Sequence, residues 1–230
     1  MAANDTHAPA LAMRALARLL DYPAEPLFDH LGEIGAALAA APAKPDRRGA
    51  VEALLTRLAG ADPLDAQELY IDTFDRGRRT SLNLFEHVHG DSRDRGQAMV
   101  DLLEMYRAAG IELQTDQLPD YLPAFLEFLS VLPAREARSH LAEVTHLLRA
   151  VGAVLASRGS DYAGAFDLLL ALAGEPPLAA ETQGEDDTSY AAIDAAWLDA
   201  PVDFMGAPSP CAGAARPATE QPIQFQRRVA

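Results

Sequence analysis

The feature that most constrains this chain is the return of apolar residues every three to four positions, with no run of β-branched residues between them. That period puts apolar side chains on one face of a helix, whereas a half-buried strand needs strict alternation. Leu11, Ala15, Leu16, Leu19 and Leu20 follow it behind Pro9, which suits a first helical turn, and Asp21-Tyr22-Pro23 ends that helix. Pro26 opens a second helix with Leu27, Leu31, Ile34 and Leu38 inward. Asp46 is placed to cap a third, through Val51, Leu54, Leu55 and Leu58, which Gly60 stops, and Asp62-Pro63 starts a fourth that runs to about Phe74.

The pattern continues with Met99, Leu102, Leu103 and Tyr106, followed by Gly110 as a left-handed helix end. Leu141, Val144, Leu148, Val151 and Leu155 form another stripe closed by Gly159, and Ser160 is placed to cap a last helix before Gly174 in which Tyr162, Phe166, Leu169, Leu170 and Ala173 share a face. Nothing reads as a strand pair. The expected fold is therefore all-α, a single-domain bundle of seven to nine helices over residues 1–174. Residues 175–230 hold seven of the 16 prolines, with nine acidic residues against three basic ones. Such a tail buries too little apolar surface to order fully and is expected to be mostly irregular. One island near 189–204, with Tyr190, Ile193, Trp197 and Leu198 at helical spacing, reads as a short docking segment or as a self-occluding or partner-docking arm.

Charge narrows the function. With 19 Lys+Arg against 34 Asp+Glu the formal net charge is −15, which repels nucleic acid, disfavours anionic lipid and suits a cationic partner. The one cysteine, Cys211, excludes an internal disulfide framework and any multi-Cys metal site. No charged signal region precedes the first apolar stretch, and no apolar run approaches the ~18 residues that span a bilayer. A soluble cytoplasmic protein that binds no nucleic acid and does not insert into membranes is the expectation.

Candidate chemistry concentrates in Arg76 to Gly96, with two histidines, five arginines and three acids. His87 and His89 suggest a metal-dependent enzyme only if the backbone there is extended, since two residues along a helix turn a side chain by roughly 200°. The other reading is a pair that hydrogen-bonds and packs a helix–turn–helix corner, with Asp91 or Ser92 capping the next helix and Arg93 and Arg95 flanking Asp94. No nucleophile elbow, P-loop or dinucleotide fingerprint is present, so the chain reads as a non-enzyme. The segment Leu118 to Leu129, in which Asp120 is expected to cap a helix, is apolar nearly all round, and a groove for an amphipathic peptide is one place for its second face.

Two stretches, Leu84-Phe85-Glu86-His87-Val88-His89-Gly90-Asp91-Ser92-Arg93-Asp94-Arg95-Gly96-Gln97-Ala98-Met99 and Leu118-Pro119-Asp120-Tyr121-Leu122-Pro123, closely resemble the NarJ family, the molybdenum-cofactor assembly chaperones (delta subunit) of respiratory nitrate reductase. The likeness covers roughly Leu11 to Gly174, and Ala196 to Phe204 is similar to that family's C-terminal stretch. Tyr70-x-x-x-Phe74 and Pro119-Asp120-Tyr121-Leu122 resemble signature positions of the wider TorD/DmsD redox-enzyme maturation chaperones, where a His is usual at the place of Tyr121, so no role of that His carries over. The resemblance implies a TorD-like helical chaperone with no permanently bound cofactor. Its partner would be the nitrate reductase catalytic (alpha) subunit, gripped by its N-terminal peptide, kept open for insertion of bis-molybdopterin guanine dinucleotide and held off the membrane until then. Cofactor-delivery proteins are further implied partners. The candidates for the client-binding surface are Tyr70, Phe74, His87, His89, Arg93, Arg95, Asp120, Tyr121 and Glu127. The acidic bundle would draw in a basic leader while the Arg/His corner meets something anionic.

Overall fold

The computed structural model describes residues 7–89, 93–113 and 117–178; the expected docking segment near 189–204, Cys211 and the expected caps Asp91 and Ser92 lie outside the described residues. Eleven α-helices run through the described chain: α1 (Ala8–Leu20), α2 (Glu25–Asp29), α3 (Leu31–Ala39), α4 (Pro45–Gly60), α5 (Pro63–Phe74), α6 (Glu86–His89), α7 (Arg93–Ala108), α8 (Leu122–Val131), α9 (Ala134–Glu143), α10 (Thr145–Ser157) and α11 (Ala163–Ala173). A single 3-10 turn, Arg78–Thr80, follows α5. The fold is all-α as expected. Its helix count exceeds the expected seven to nine because two apolar stripes break without any Pro or Gly to announce it, one at His30 between α2 and α3 and one at Val144 between α9 and α10.

Local signals set most helix starts. Pro9, Pro26, Pro45, Pro63 and Pro123 sit in first turns, where the missing N–H has no helical partner to lose. Asp62 caps α5 by accepting the Leu64 N–H at 2.9 Å. Three other expected caps do not form. Asp46 lies inside the first turn of α4 because Lys44 takes the cap position, Ser160 gives α11 no side-chain bond, and Asp120 is drawn into a longer-range contact described below. Gly110, Gly159 and Gly174 end helices at φ +76°, +64° and +91°, values that favour glycine.

The core is one continuous cluster in which α1 packs on α8 and α3, and α11 packs on α4 and α10. Leu16, Leu19, Leu20, Leu126, Leu129 and Leu169 are fully enclosed. The apolar surplus of the 118–129 segment is absorbed mainly by this core, since Leu122, Phe125, Leu126, Phe128 and Leu129 are all buried. Leu11, expected inward, is instead 50% exposed, because it faces a cavity between α1 and the α2–α3 pair and not the core. The chain stays fastened beyond Gly174. The buried Arg47 guanidinium pairs with Asp167 at 2.7 Å and donates to the Glu175 carbonyl at 2.7 Å, while Leu178 donates its N–H to Asp167 at 2.8 Å.

Candidate functional site

The two segments richest in unusual residues meet side by side. Leu84 donates its N–H to the Asp120 carbonyl at 3.0 Å, Leu122 donates to the Leu82 carbonyl at 2.8 Å, and Asn83 and Tyr121 form an isolated antiparallel bridge. Adjacent residues of an extended pair point to opposite sides, so this short pairing sends Asp120 one way and Tyr121 the other. Asp120 enters the Arg/His corner. Tyr121 enters an aromatic hub at the end of α1.

In the corner, Asp120 is fully buried and accepts the Phe85 N–H at 3.0 Å, which is why it is not free to cap α8. Arg95 reaches 4.0 Å from its Oδ2 and 3.4 Å from Glu86, while Asp120 Oδ1 and Arg95 Nε are buried without a hydrogen-bond partner. Burial raises the Asp120 carboxyl above the ordinary carboxylate range, and the Phe85 N–H and Arg95 offset this only in part. Glu86 also accepts from Ser81 at 2.6 Å, and His87 donates its Nε2–H to the Ser81 carbonyl at 2.8 Å. His87 is thus spent on the local backbone. Among the described residues no three His, Cys, Asp or Glu side chains converge to hold a metal ion, and the metal-enzyme reading is not favoured. Arg76 pairs with Asp72 at 3.1 Å. His89 and Arg93 stand at the facing ends of α6 and α7, and their side chains lie outside the described residues.

In the hub, the Tyr70 and Tyr121 hydroxyls lie 2.9 Å apart, Tyr121 donates to Asp21 Oδ1 at 3.0 Å, and the Tyr70 hydroxyl lies 3.0 Å from the Leu20 carbonyl. Burial pushes both phenols far above their ordinary range. Phe74 is buried beneath them, its ring 4.9 Å from both Tyr70 and Tyr162, and the Tyr22 ring meets Tyr70 edge-on at 5.7 Å. Of the expected surface, Tyr70, Phe74 and Asp120 are therefore interior residues that shape the site from below. Glu127 lies on an open face, its side chain 45% exposed and paired with Arg18 at 3.0 Å.

Two cavities open beside the hub. The larger, about 580 Å³, runs between α1 and the α2–α3 pair over an apolar floor that includes Leu11, Ala15, Leu27 and Ile34, with Tyr22 at one side. The smaller, about 140 Å³, lies between α1, α8 and the chain after α7, against Tyr106, Leu113, Pro123 and Glu127. Arg18 and Asp21 line both. Neither was singled out in the sequence, where Asp21-Tyr22-Pro23 reads only as a helix stop. The available signal was the surplus of apolar residues on α1, whose Leu11 has no core partner.

Residues 40–167 match the family model described as nitrate reductase delta subunit. The nitrate reductase molybdenum cofactor assembly chaperone NarJ of Escherichia coli (strain K12) is 46% identical over 197 residues, covering 83% of each chain, and the protein of the same name from Escherichia coli O157:H7 matches equally. The nitrate reductase-like protein NarX of Mycobacterium tuberculosis (strain ATCC 25618 / H37Rv) is 35% identical over 88 residues, 38% of this chain and 14% of that one. With a family model spanning more than half the chain and such identity across most of its length, the chain belongs to the nitrate reductase delta-subunit family, and its Escherichia coli relatives matched over most of their length are named as assembly chaperones, not as enzymes.

Proposed function

We propose that this protein chaperones the catalytic subunit of a nitrate reductase by binding its N-terminal peptide, holds the apo-subunit competent for insertion of bis-molybdopterin guanine dinucleotide, and delays its attachment to the membrane until the cofactor is in place. The observation that carries the peptide-binding part is the 580 Å³ apolar groove beside α1, rimmed by Arg14, Arg18, Asp21, His30 and Glu33 and backed by the tyrosine hub. A groove of this shape suits the apolar face of an amphipathic helix, and an acidic protein attracts a basic one. Tyr70, Phe74, Asp120 and Tyr121 act in this reading by fixing the groove wall, Glu127 by touching the client, and the His87–Arg95 corner by anchoring the 82–84 segment against 120–122. Cofactor-delivery proteins would meet another face. No described helix is long and apolar enough to cross a membrane, which fits a chaperone that leaves its client at that stage.

Calorimetric titration of a synthetic peptide covering the N-terminal segment of the nitrate reductase catalytic subunit tests the reading. Binding is expected, with a negative heat-capacity change from apolar burial, and loss is expected in Leu11→Glu combined with Ala37→Glu, both at the groove. Absence of binding by the unaltered protein, or unchanged binding by that variant, would refute the groove as the docking site.

A further inference from the structure

We propose that Arg18 is an internal stand-in for a cationic side chain of the docking peptide, and that Glu127 with Asp21 forms the carboxylate pair that receives that cation. The inference rests on the peptide-docking reading above and adds to it the chemistry that recognises one ligand residue.

Arg18 occupies the last turn of α1 and lines both cavities, and its guanidinium lies 3.0 Å from Glu127, which lines the smaller one. The pair is open to solvent, with 61% of the arginine side chain and 45% of the glutamate exposed. Exposed pairs of this kind contribute little to stability, so little resists their exchange. Both partners project from helices between buried neighbours, Glu127 between Leu126 and Phe128 on α8 and Arg18 between Ala17 and Leu19 on α1, and both side chains are open enough to solvent to turn away from each other. Asp21 stands at the same boundary. Its described hydrogen bonds, from Tyr121 at 3.0 Å and from the Tyr22 N–H at 2.9 Å, both fall on Oδ1, which leaves Oδ2 to accept from a ligand.

The geometry therefore presents one carboxylate in a weak exposed pair, a second partly used, and a resident cation that lines both cavities. A helix lying in the apolar groove, with a Lys or Arg just beyond the end of its apolar stripe, would place that charge at the partition. As its cation engages Glu127, Arg18 swings outward and the 140 Å³ cavity becomes continuous with the 580 Å³ groove. Affinity then comes from the apolar floor, while register comes from the exchange of one cation for another.

The test uses the full chain, the synthetic N-terminal peptide of the catalytic subunit, and the same peptide with its Lys and Arg residues replaced by Gln. Arg18→Met keeps the apolar stem and removes the resident charge; it should tighten the cationic peptide about three- to fivefold, the scale of an exposed pair, and leave the Gln peptide unchanged. Glu127→Gln should weaken the cationic peptide by a similar factor. Opposite signs are the signature, because a purely structural ion pair would make both substitutions act alike. Arg18→Gln, which adds no apolar surface, should tighten as Arg18→Met does. Weaker or equal binding by both arginine variants, or a gain that persists with the Gln peptide, overturns the assignment while leaving groove docking intact. An unaltered protein that fails to bind the cationic peptide overturns the docking reading and the assignment with it.

Discussion

Replacing Tyr70 by Phe should cost about twice as much stability as replacing Tyr121 by Phe, although the two hydroxyls are only 2.9 Å apart. Three oxygen–oxygen contacts meet there, Tyr70 to Leu20, Tyr70 to Tyr121 and Tyr121 to Asp21, but two phenols supply only two protons. The Asp21 carboxylate accepts only, so the Tyr121 proton goes to it. The Tyr70 proton is then shared between the Leu20 carbonyl and the Tyr121 oxygen. Tyr121→Phe removes a charge-assisted bond from Asp21, which keeps the Tyr22 N–H, and lets the Tyr70 proton settle wholly on Leu20; about 1 kcal/mol is expected. Tyr70→Phe strands the carbonyl at the enclosed end of α1, where an unsatisfied buried acceptor costs about 1–3 kcal/mol, so about 2 kcal/mol is expected. Because the two hydroxyls are in contact and share the Tyr70 proton, the double variant should depart from additivity by about 0.5–1 kcal/mol, the low end for residues in one hydrogen-bond network. Urea unfolding at constant m-value reads all three. A Tyr121→Phe cost equal to or above that of Tyr70→Phe, or a coupling above about 1 kcal/mol, would refute the proton assignment.

Four other outcomes follow from the same geometry. Burial raises the phenols of Tyr70, Tyr106, Tyr121 and Tyr162, so they stay protonated when folded while the unfolded chain releases their protons near pH 10; stability should fall above pH 10 by up to about 5 kcal/mol per pH unit, with tyrosinate absorbance rising together with unfolding. Asp120, also raised by burial, binds a proton more tightly folded than unfolded, so its contribution to stability declines as pH rises from the ordinary aspartate value through the raised one; Asp120→Asn should flatten that part of the urea-midpoint profile, whereas Asp120→Ala, which strands the Phe85 N–H, should cost about 2 kcal/mol. A Cβ at Gly164 would overlap the Ala50 carbonyl where α11 crosses α4, so Gly164→Ala should cost about 2 kcal/mol or more, while Gly49→Ala, in open space on α4, should add about 0.5–1 kcal/mol by thermal melting. Arg47→Met should cost about 3–5 kcal/mol by leaving Asp167 buried and uncompensated, and Arg47→Met with Asp167→Leu should recover much of that in the same melts.

How far the molecule was legible in its sequence depended on the range over which each feature is decided. Asp62 and Asp120 make the contrast plain: both precede helices, both suit a cap, and only Asp62 acts as one. Its acceptor role is settled by Leu64, two residues away, whereas Asp120 is claimed by Phe85, 35 residues away, through a strand-like pairing that no local pattern encodes. The glycine helix ends were equally local and equally legible at Gly110, Gly159 and Gly174. The breaks at His30 and Val144 were not, because the apolar stripe continues through them and packing against α1 and α11 decides where each helix turns. Among the candidate site residues, the motif segments were recognisable and do meet in space. Which of them would be walls and which would face the open groove was not, since residue type does not distinguish a tyrosine whose hydroxyl serves a helix end from one that serves a ligand.

That distinction bears on how such a site can be both selective and releasable. The hub ties together residues separated by 50, 51 and 100 positions, so its wall moves only if α1, α5 and α8 move together, and the buried floor cannot adapt cheaply to a poorly fitting helix. The rim is the reverse. Arg18 and Glu127 hold an exposed pair whose exchange costs little. A rigid apolar floor sets which shape enters, and a soft charged rim sets where that shape stops, without adding the desolvated ion pairs that would slow departure. For a chaperone that must surrender its client after cofactor insertion, tightening should therefore come most readily from the rim, through removal of Arg18. Changes to the floor should abolish binding before they improve it.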